Sequence, residues 1–353
     1  LDDVGNRRVV TEADGRKVEY EYDDLDRLTQ ETITDPNSTT NDGRTYSYQY
    51  DDVGNRTLQV DSVDGTTTYR YDKNDRLFEE IAGGVSTVYT YDNNGNTRTQ
   101  TVDGQAPTTY TWDDRNRLVQ VDTADGDTVV YEYDDENIRV SSTVNDVKTT
   151  YVVDSNRPYH QVLEEYEDST IKARYVHGLD LISIEQDGQT SIYLVDGLGS
   201  TRTLTDASDG SVIATYDYDA YGELIDSTGG ATNNNYLFAG EQLDEKLDQY
   251  YLRQRFYNPS SGRFIRRDTL EGFSTTPITL NKYLYAHSNP TTFIDPSGEV
   301  IALPGEQLGI FAILSILARS GIGATIIAST TSRRNEARFA SIYRGTTYYD
   351  AQD

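Results

Sequence analysis

The chain repeats itself. A Tyr-x-Tyr-Asp unit recurs as Tyr20-x-Tyr22-Asp23, Tyr48-x-Tyr50-Asp51, Tyr69-x-Tyr71-Asp72, Tyr89-x-Tyr91-Asp92, Tyr110-x-Trp112-Asp113 and Tyr131-x-Tyr133-Asp134. The second aromatics lie 28, 21, 20, 21 and 21 residues apart, and Leu1-Asp2 fills the same slot 21 residues before Tyr22. Such a period marks a chain built from one small unit that cannot bury its apolar face alone and must stack on its neighbours.

Side chains alternate along a strand, so Tyr-x-Tyr places two aromatics on one face. Turn chemistry comes after each Asp: Gly5-Asn6-Arg7, Gly54-Asn55-Arg56, Asp75-Arg76-Leu77, Gly95-Asn96 and Asn116-Arg117-Leu118. Gly and Asn tolerate positive φ, and Asp bonds nearby backbone. A second short strand comes next, such as Arg56 to Val60, and then an Asp-Gly turn, as at Asp64-Gly65 and Asp125-Gly126. Each unit reads as a β-hairpin, and the stack as one long antiparallel sheet. The 28-residue interval is a loop insertion between Thr34 and Thr45.

Mean hydropathy is −0.68 and hydrophobic residues make up 35%, lean for a packed domain. The 29 Tyr and 8 Phe argue against disorder, since disordered segments lack the aromatics that offset ordering entropy. Tyrosine buries its ring while its hydroxyl stays hydrogen-bonded. A net charge of −28 argues against nucleic acid as a partner, because phosphate contact needs clustered cations. Abundant Asp with scarce Lys fits either a salt-rich habitat or simply the Asp and Arg that the repeats use. With no Cys, disulfides, thiolate metal sites and cysteine nucleophiles are excluded. His160, His177 and His287 are too dispersed to suggest a metal cluster, and no cofactor is expected. The Asp-rich turns match no complete calcium loop, and Gly197-Leu198-Gly199 lacks the context of a dinucleotide loop. There is no starting Met and no signal peptide, and Leu1 already lies within a repeat, so the gene is expected to begin upstream of Leu1.

The regular period fades after Tyr151. Distinct motifs take over: Asp196-Gly197-Leu198-Gly199-Ser200, Tyr216-Asp217-Tyr218-Asp219-Ala220-Tyr221-Gly222, Phe238-Ala239-Gly240-Glu241-Gln242, Tyr250 to Pro259, Gly262-Arg263-Phe264-Ile265, Asn281 to Tyr285, Asn289-Pro290 and Asp295-Pro296-Ser297-Gly298. Together with the repeats, these resemble the YD repeats and the repeat-associated core domain of the RHS and teneurin families. The resemblance implies an all-β fold in which stacked hairpins spiral into a shell closed by the core domain. It divides the chain into repeats (1–150), a core-associated domain (151–299) and a variable segment (300–353). The variable segment carries an apolar stretch, 308–328. That stretch is expected to sit inside the shell. Membrane insertion is the rival, against which Arg319 near its middle counts.

The resemblance also implies self-cleavage, since RHS proteins cut off their carboxy-terminal region after an Asp-Pro-x-Gly-Leu motif. The matching positions are Arg255, Asp268 and Asp295, with Pro290, Pro296 and Gly298 framing the motif. Two close carboxylates cannot both ionise easily, so one keeps a proton while the other activates water. Arg255 would orient them. The cut is expected between Glu299 and Val300, and Glu299 stands where the family has Leu. Two functions are open to such a chain. The first is a secreted or cell-surface shell that encloses its own carboxy-terminal segment and releases it as an effector. The second is a non-cleaving structural or adhesive protein that binds glycans or neighbouring cells. About 150 residues of repeat are short for closing a chamber around a folded toxin, so either further repeats precede Leu1, or several copies assemble, or the chamber holds only a short peptide.

Overall fold

The computed structural model describes residues 1–303 except 13, 230–233 and 275. The segment after residue 303, with the apolar stretch 308–328, lies outside the described residues. Twenty-one strands, from Val9–Thr11 to Leu224–Thr228, form one sheet. Each pairs antiparallel with the next in sequence. The strand Val147–Asp154 carries the ladder across residue 151 without a break. The expected all-β stack of hairpins is what forms.

The sheet coils because each repeat bends it at the same place. The register shifts one residue before the second aromatic: between Glu21 and Tyr22, Gln49 and Tyr50, Arg70 and Tyr71, Thr90 and Tyr91, Thr111 and Trp112, and Glu132 and Tyr133. A bulge inserts one extra residue, bends the strand and sharpens its twist. From Tyr50 onward, each second aromatic then reaches back to the carbonyl that opens the preceding repeat's second strand. Tyr50 donates to Leu28 O (2.5 Å), Tyr71 to Arg56 O (2.7 Å), Tyr91 to Leu77 O (2.8 Å), Trp112 Nε1 to Thr97 O (2.7 Å) and Tyr133 to Leu118 O (2.8 Å). Indole and phenol serve equally because both donate from the tip of a buried ring.

Coiling brings the last strands over the first. Arg202 meets Glu12 at 3.2 Å, Arg16 meets Asp217 at 3.5 Å, and Glu31, fully buried, accepts the Ala220 N–H at 2.9 Å. Among the described residues no ladder joins the first and last strands, so side chains make this seam.

The turns explain why the repeat motif comes in two forms. In Asp51-x-x-Gly54-Asn55, Asp51 Oδ1 accepts the N–H groups of Val53 and Asn55, and Oδ2 accepts Asn55 Nδ2. In Asp72-x-x-Asp75-Arg76, Oδ1 does the same, and Oδ2 accepts Arg76 Nε instead. The two forms alternate and interlock. Asn6 donates to Asp26 (2.7 Å), Asn55 to Asp75 (3.0 Å) and Asn96 to Asn116 (2.9 Å).

The remaining chain, from Asn234 to Leu303, plugs one rim of the coil. It carries a small sheet of Gln242–Asp244, Gln249–Leu252, Arg255–Asn258 and Arg263–Phe264. Its aromatic heart stacks Tyr257 on Tyr285 at 4.2 Å. The plug lies on the Asp-x-x-Gly-Asn rim: Tyr283 donates to Gly95 O (2.9 Å), Arg263 to Asn55 (2.8 Å), and Asn289 to Asn6 (3.0 Å). At the Gly-Asn turns a side chain would collide with it. A Cβ on Gly54 would sit 2.7 Å from Ile278, whereas one on Gly65, on the opposite rim, would meet nothing within 4 Å. Both glycines have positive φ, so a side chain brings the same backbone strain to both. Gly54→Ala is therefore expected to cost up to about 1 kcal/mol more than Gly65→Ala in urea unfolding, the low end of overpacking, because Ile278 meets the new methyl with the movable end of its side chain. Equal costs would mean that the plug does not press on this rim.

Candidate active site

Arg255 opens its strand in the plug and is 2% exposed. Its guanidinium carbon lies 3.5 Å from the Phe264 ring centroid. Nε donates to the Gly298 carbonyl, and Nη1 to Lys282 O at 3.1 Å. Nη2 is shared between two carboxylates, Asp268 at 2.9 Å and Asp295 at 3.4 Å. The fold thus brings together the three residues singled out from the sequence.

Asp295, Pro296, Ser297 and Gly298 form a turn closed by Gly298 N–H to Asp295 O at 3.2 Å. Gly298 is required there. Its φ is +69°, and a Cβ would lie 2.3 Å from Leu252 O. While Asp295 Oδ2 faces Arg255, Oδ1 accepts the Ser297 hydroxyl (3.1 Å) and the N–H groups of Glu299 (3.1 Å) and Val300 (3.0 Å). One acid therefore touches the nitrogen of the Glu299–Val300 peptide bond. Asp268 is held by its own N–H to Lys282 O at 2.9 Å. Its side chain is 15% exposed against 3% for Asp295, so Asp268 is the carboxylate that water reaches.

Burial pushes Asp295 up to about 6, with Arg255 pulling it down and Asp268 pushing it further up. Burial also raises Asp268, against the pull of Arg255. The same cause raises Glu31 and Asp219 at the seam. A carboxyl raised on folding binds its proton more tightly in the native state than in the unfolded chain. Its contribution is complete below the unfolded value, 3.8 for Asp295, and is lost as pH climbs through about 6. The urea midpoint is therefore expected to fall from pH 5 to pH 8, by on the order of 3 kcal/mol of stability. A midpoint that is flat or rises over that range would sink this account.

Not every motif residue joins the site. Pro290 is buried in the stretch that docks on the first repeats, between Asn289, bonded to Asn6, and Thr291, whose Oγ1 lies 2.6 Å from Tyr22 OH. Pro296 lends only its carbonyl, to Arg253. Two other contributors lie within motifs read from the sequence, which gives neither of them a role. Ser297 Oγ lies 2.9 Å from Val300 N, and Lys282 presents its carbonyl to Arg255 and its Nζ to Leu270 O at 2.5 Å. On the far side of the turn, a cavity of about 570 Å³ is lined by Tyr159, His160, Glu241, Arg253, Pro296 and Ala302, among others. Among the described residues no group of His, Cys, Asp or Glu is placed to hold a metal ion.

A bulged coil of tyrosine hairpins, plugged at one rim by its own chain, defines a YD-type β-shell. The teneurin YD-shell family model matches residues 4–291, and the chain belongs to that family. The match ends before Asp295. The tRNA3(Ser)-specific nuclease WapA of Bacillus spizizenii is 31% identical over 140 residues, 38% of this chain and 6% of that protein. Salivary gland surface protein 1 of Aedes aegypti is 30% identical over 169 residues, 47% of this chain and 4% of that protein. Toxin protein Tse5 of Pseudomonas aeruginosa is 40% identical over 86 residues, 24% of this chain and 6% of that protein. The chain thus spans only a small part of these relatives. The crystal structure of TcdB2-TccC3-Cdc42 aligns with a TM-score of 0.43 and 17% identity, covering 83% of this chain and 19% of that one.

Proposed function

We propose that this chain is part of a secreted or surface shell that cuts its own backbone between Glu299 and Val300, freeing the segment beyond the cut as an effector. One observation carries the reading: Asp295 bonds the Val300 N–H while sharing Arg255 with a second, more open carboxylate, Asp268. Asp268 takes a proton from water, and the water oxygen bonds to the Glu299 carbonyl carbon. The carbon–nitrogen bond to Val300 then breaks, and Asp295 passes a proton to the leaving nitrogen. The products are a carboxyl at Glu299 and an amine at Val300. The reaction needs no substrate pocket, because the bond is tethered in place at high effective concentration. The plug-bearing region up to Glu299 acts as the core-associated unit, and the segment from Val300 is its internal partner. Similarity to a toxin and a nuclease among the relatives favours an effector as the cargo.

Intact mass spectrometry of the wild type beside Asp295→Asn tests this. The wild type is expected to split between Glu299 and Val300, and the variant to keep one mass. A wild type that stays whole from pH 5 to 8 would sink the cleavage. The second reading, a non-cleaving surface protein that binds glycans or neighbouring cells, would then lead. It draws on the similarity to a surface protein.

A further inference from the structure

Glu299 would contribute the carbonyl of the bond to be cut, yet its side chain is also built into the site. Its N–H is held by Asp295 Oδ1 at 3.1 Å. Its carboxylate turns toward the other acid's loop, where Oε1 accepts the Thr269 hydroxyl at 2.9 Å. Thr269 directly follows Asp268, so Glu299 bridges the two acid-bearing loops. A third carboxylate is thereby fixed beside the pair that shares Arg255.

Charged groups stand near it on several elements. Arg255 stands behind Asp268 and Asp295, and Arg266 approaches from the segment after Phe264, where the Glu299 charge acts on it. Lys282 lies beyond Asp268 and is occupied by Leu270 O. Asp268 itself feels Glu299 as a like charge. Ser297 and Thr269 add hydroxyls without charge.

We infer that Glu299 is a positioning residue of this site, whose carboxylate keeps the working proton on the Asp268–Asp295 pair and so extends cleavage toward neutral pH. The inference rests on the proposed cleavage. A pair of acids that must hold one proton between them stops working once both ionise. A neighbouring negative charge opposes that second ionisation. Removing the charge lets the pair lose its proton at lower pH, so the falling limb of the pH–rate profile moves down.

The test is a pH–rate profile on the full chain. Protein made by cell-free synthesis is shifted into buffers from pH 5 to 9, and the uncut fraction is followed by intact mass. Glu299→Gln keeps an acceptor for Thr269 but removes the charge; Glu299→Asp keeps the charge. The falling limb of Glu299→Gln is expected to lie about half to one pH unit below that of the wild type, which is roughly 3- to 10-fold slower cleavage on that limb. The falling limb of Glu299→Asp is expected to lie near that of the wild type, whatever its rate on the plateau. A purely structural role would slow Glu299→Gln equally at every pH or leave it unchanged. Either result, in a wild type that cuts, overturns this role alone. A wild type that stays whole at every pH overturns the cleavage reading and this role with it.

Discussion

Arg255→Ala is expected to destabilise the protein by about 3–5 kcal/mol and to abolish cleavage, the largest effect of any single change in the plug. The side chain is buried and satisfies four acceptors at once: the Gly298 and Lys282 carbonyls and the carboxylates of Asp268 and Asp295. Removing it leaves the buried Asp295 without its counter-charge and takes the nearest cation from the more open Asp268. It also leaves the Gly298 carbonyl, one residue from the proposed cut, without its donor. Arg255→Lys is not expected to rescue either property. A point-like ammonium cannot place three separate nitrogens along three directions as the planar guanidinium does. Urea unfolding and intact mass check both halves. A Lys variant with wild-type stability would show that only the charge matters here, and that the fork geometry does not.

The second large effect is expected in the coil. Arg56 occupies the slot just after the turn, where other repeats have Leu28, Leu77 and Leu118, all buried. It lies under three tyrosines, 4.8 Å from the ring centres of Tyr69 and Tyr221 and 5.6 Å from that of Tyr48. It donates to Tyr69 OH at 2.9 Å and to the Ser260 carbonyl of the plug. Arg56→Ala removes this packing, its cation–π contacts and a tie between coil and plug, and about 3–5 kcal/mol of stability should go with them. Arg76→Ala makes the control. Arg76 also lies near a tyrosine, 5.4 Å from Tyr91, but its side chain is 28% exposed in a surface turn, and a loss under about 1 kcal/mol is expected. Similar losses for the two would mean that burial does not set the worth of these arginines.

Arg56 also shows where reading the sequence stopped. In linear order it is one more Arg after a Gly-Asn turn, like Arg7, and nothing nearby marks it as an interior residue. The slot it fills is answered from the plug. Thr97, in the same slot, bonds Ile265 O through its hydroxyl at 2.7 Å. Arg139 has the Tyr251 ring 3.9 Å away, and Thr201 bonds Tyr236 O at 2.7 Å. Where the repeat has Arg or Thr, the plug reaches the slot with a carbonyl or an aromatic ring. The partners lie from 35 residues away, as Thr201 and Tyr236, to 204 away, as Arg56 and Ser260. No local pattern reveals such a pairing.

The sequence by itself determined the unit and its stacking. Tyr-x-Tyr sets a strand face, Asp-x-x-Gly-Asn sets a turn that Asp51 closes on its own backbone, and a 21-residue period forces neighbour onto neighbour. All of these act within a few residues, so periodicity reports them directly. The tertiary structure alone decided the curvature, the seam and the placing of the acids. The bulge before each second aromatic is a mismatch of register between two strands, invisible in either strand taken alone. The seam pairs Glu12 with Arg202, and Arg16 with Asp217, only after the sheet has coiled. Asp268 and Asp295 are 27 positions apart in sequence. They meet because Arg255, buried against Phe264, offers both the same nitrogen. In a low-dielectric interior two acids stay close where a shared cation or a retained proton offsets their repulsion, and burial is a property of the assembled fold.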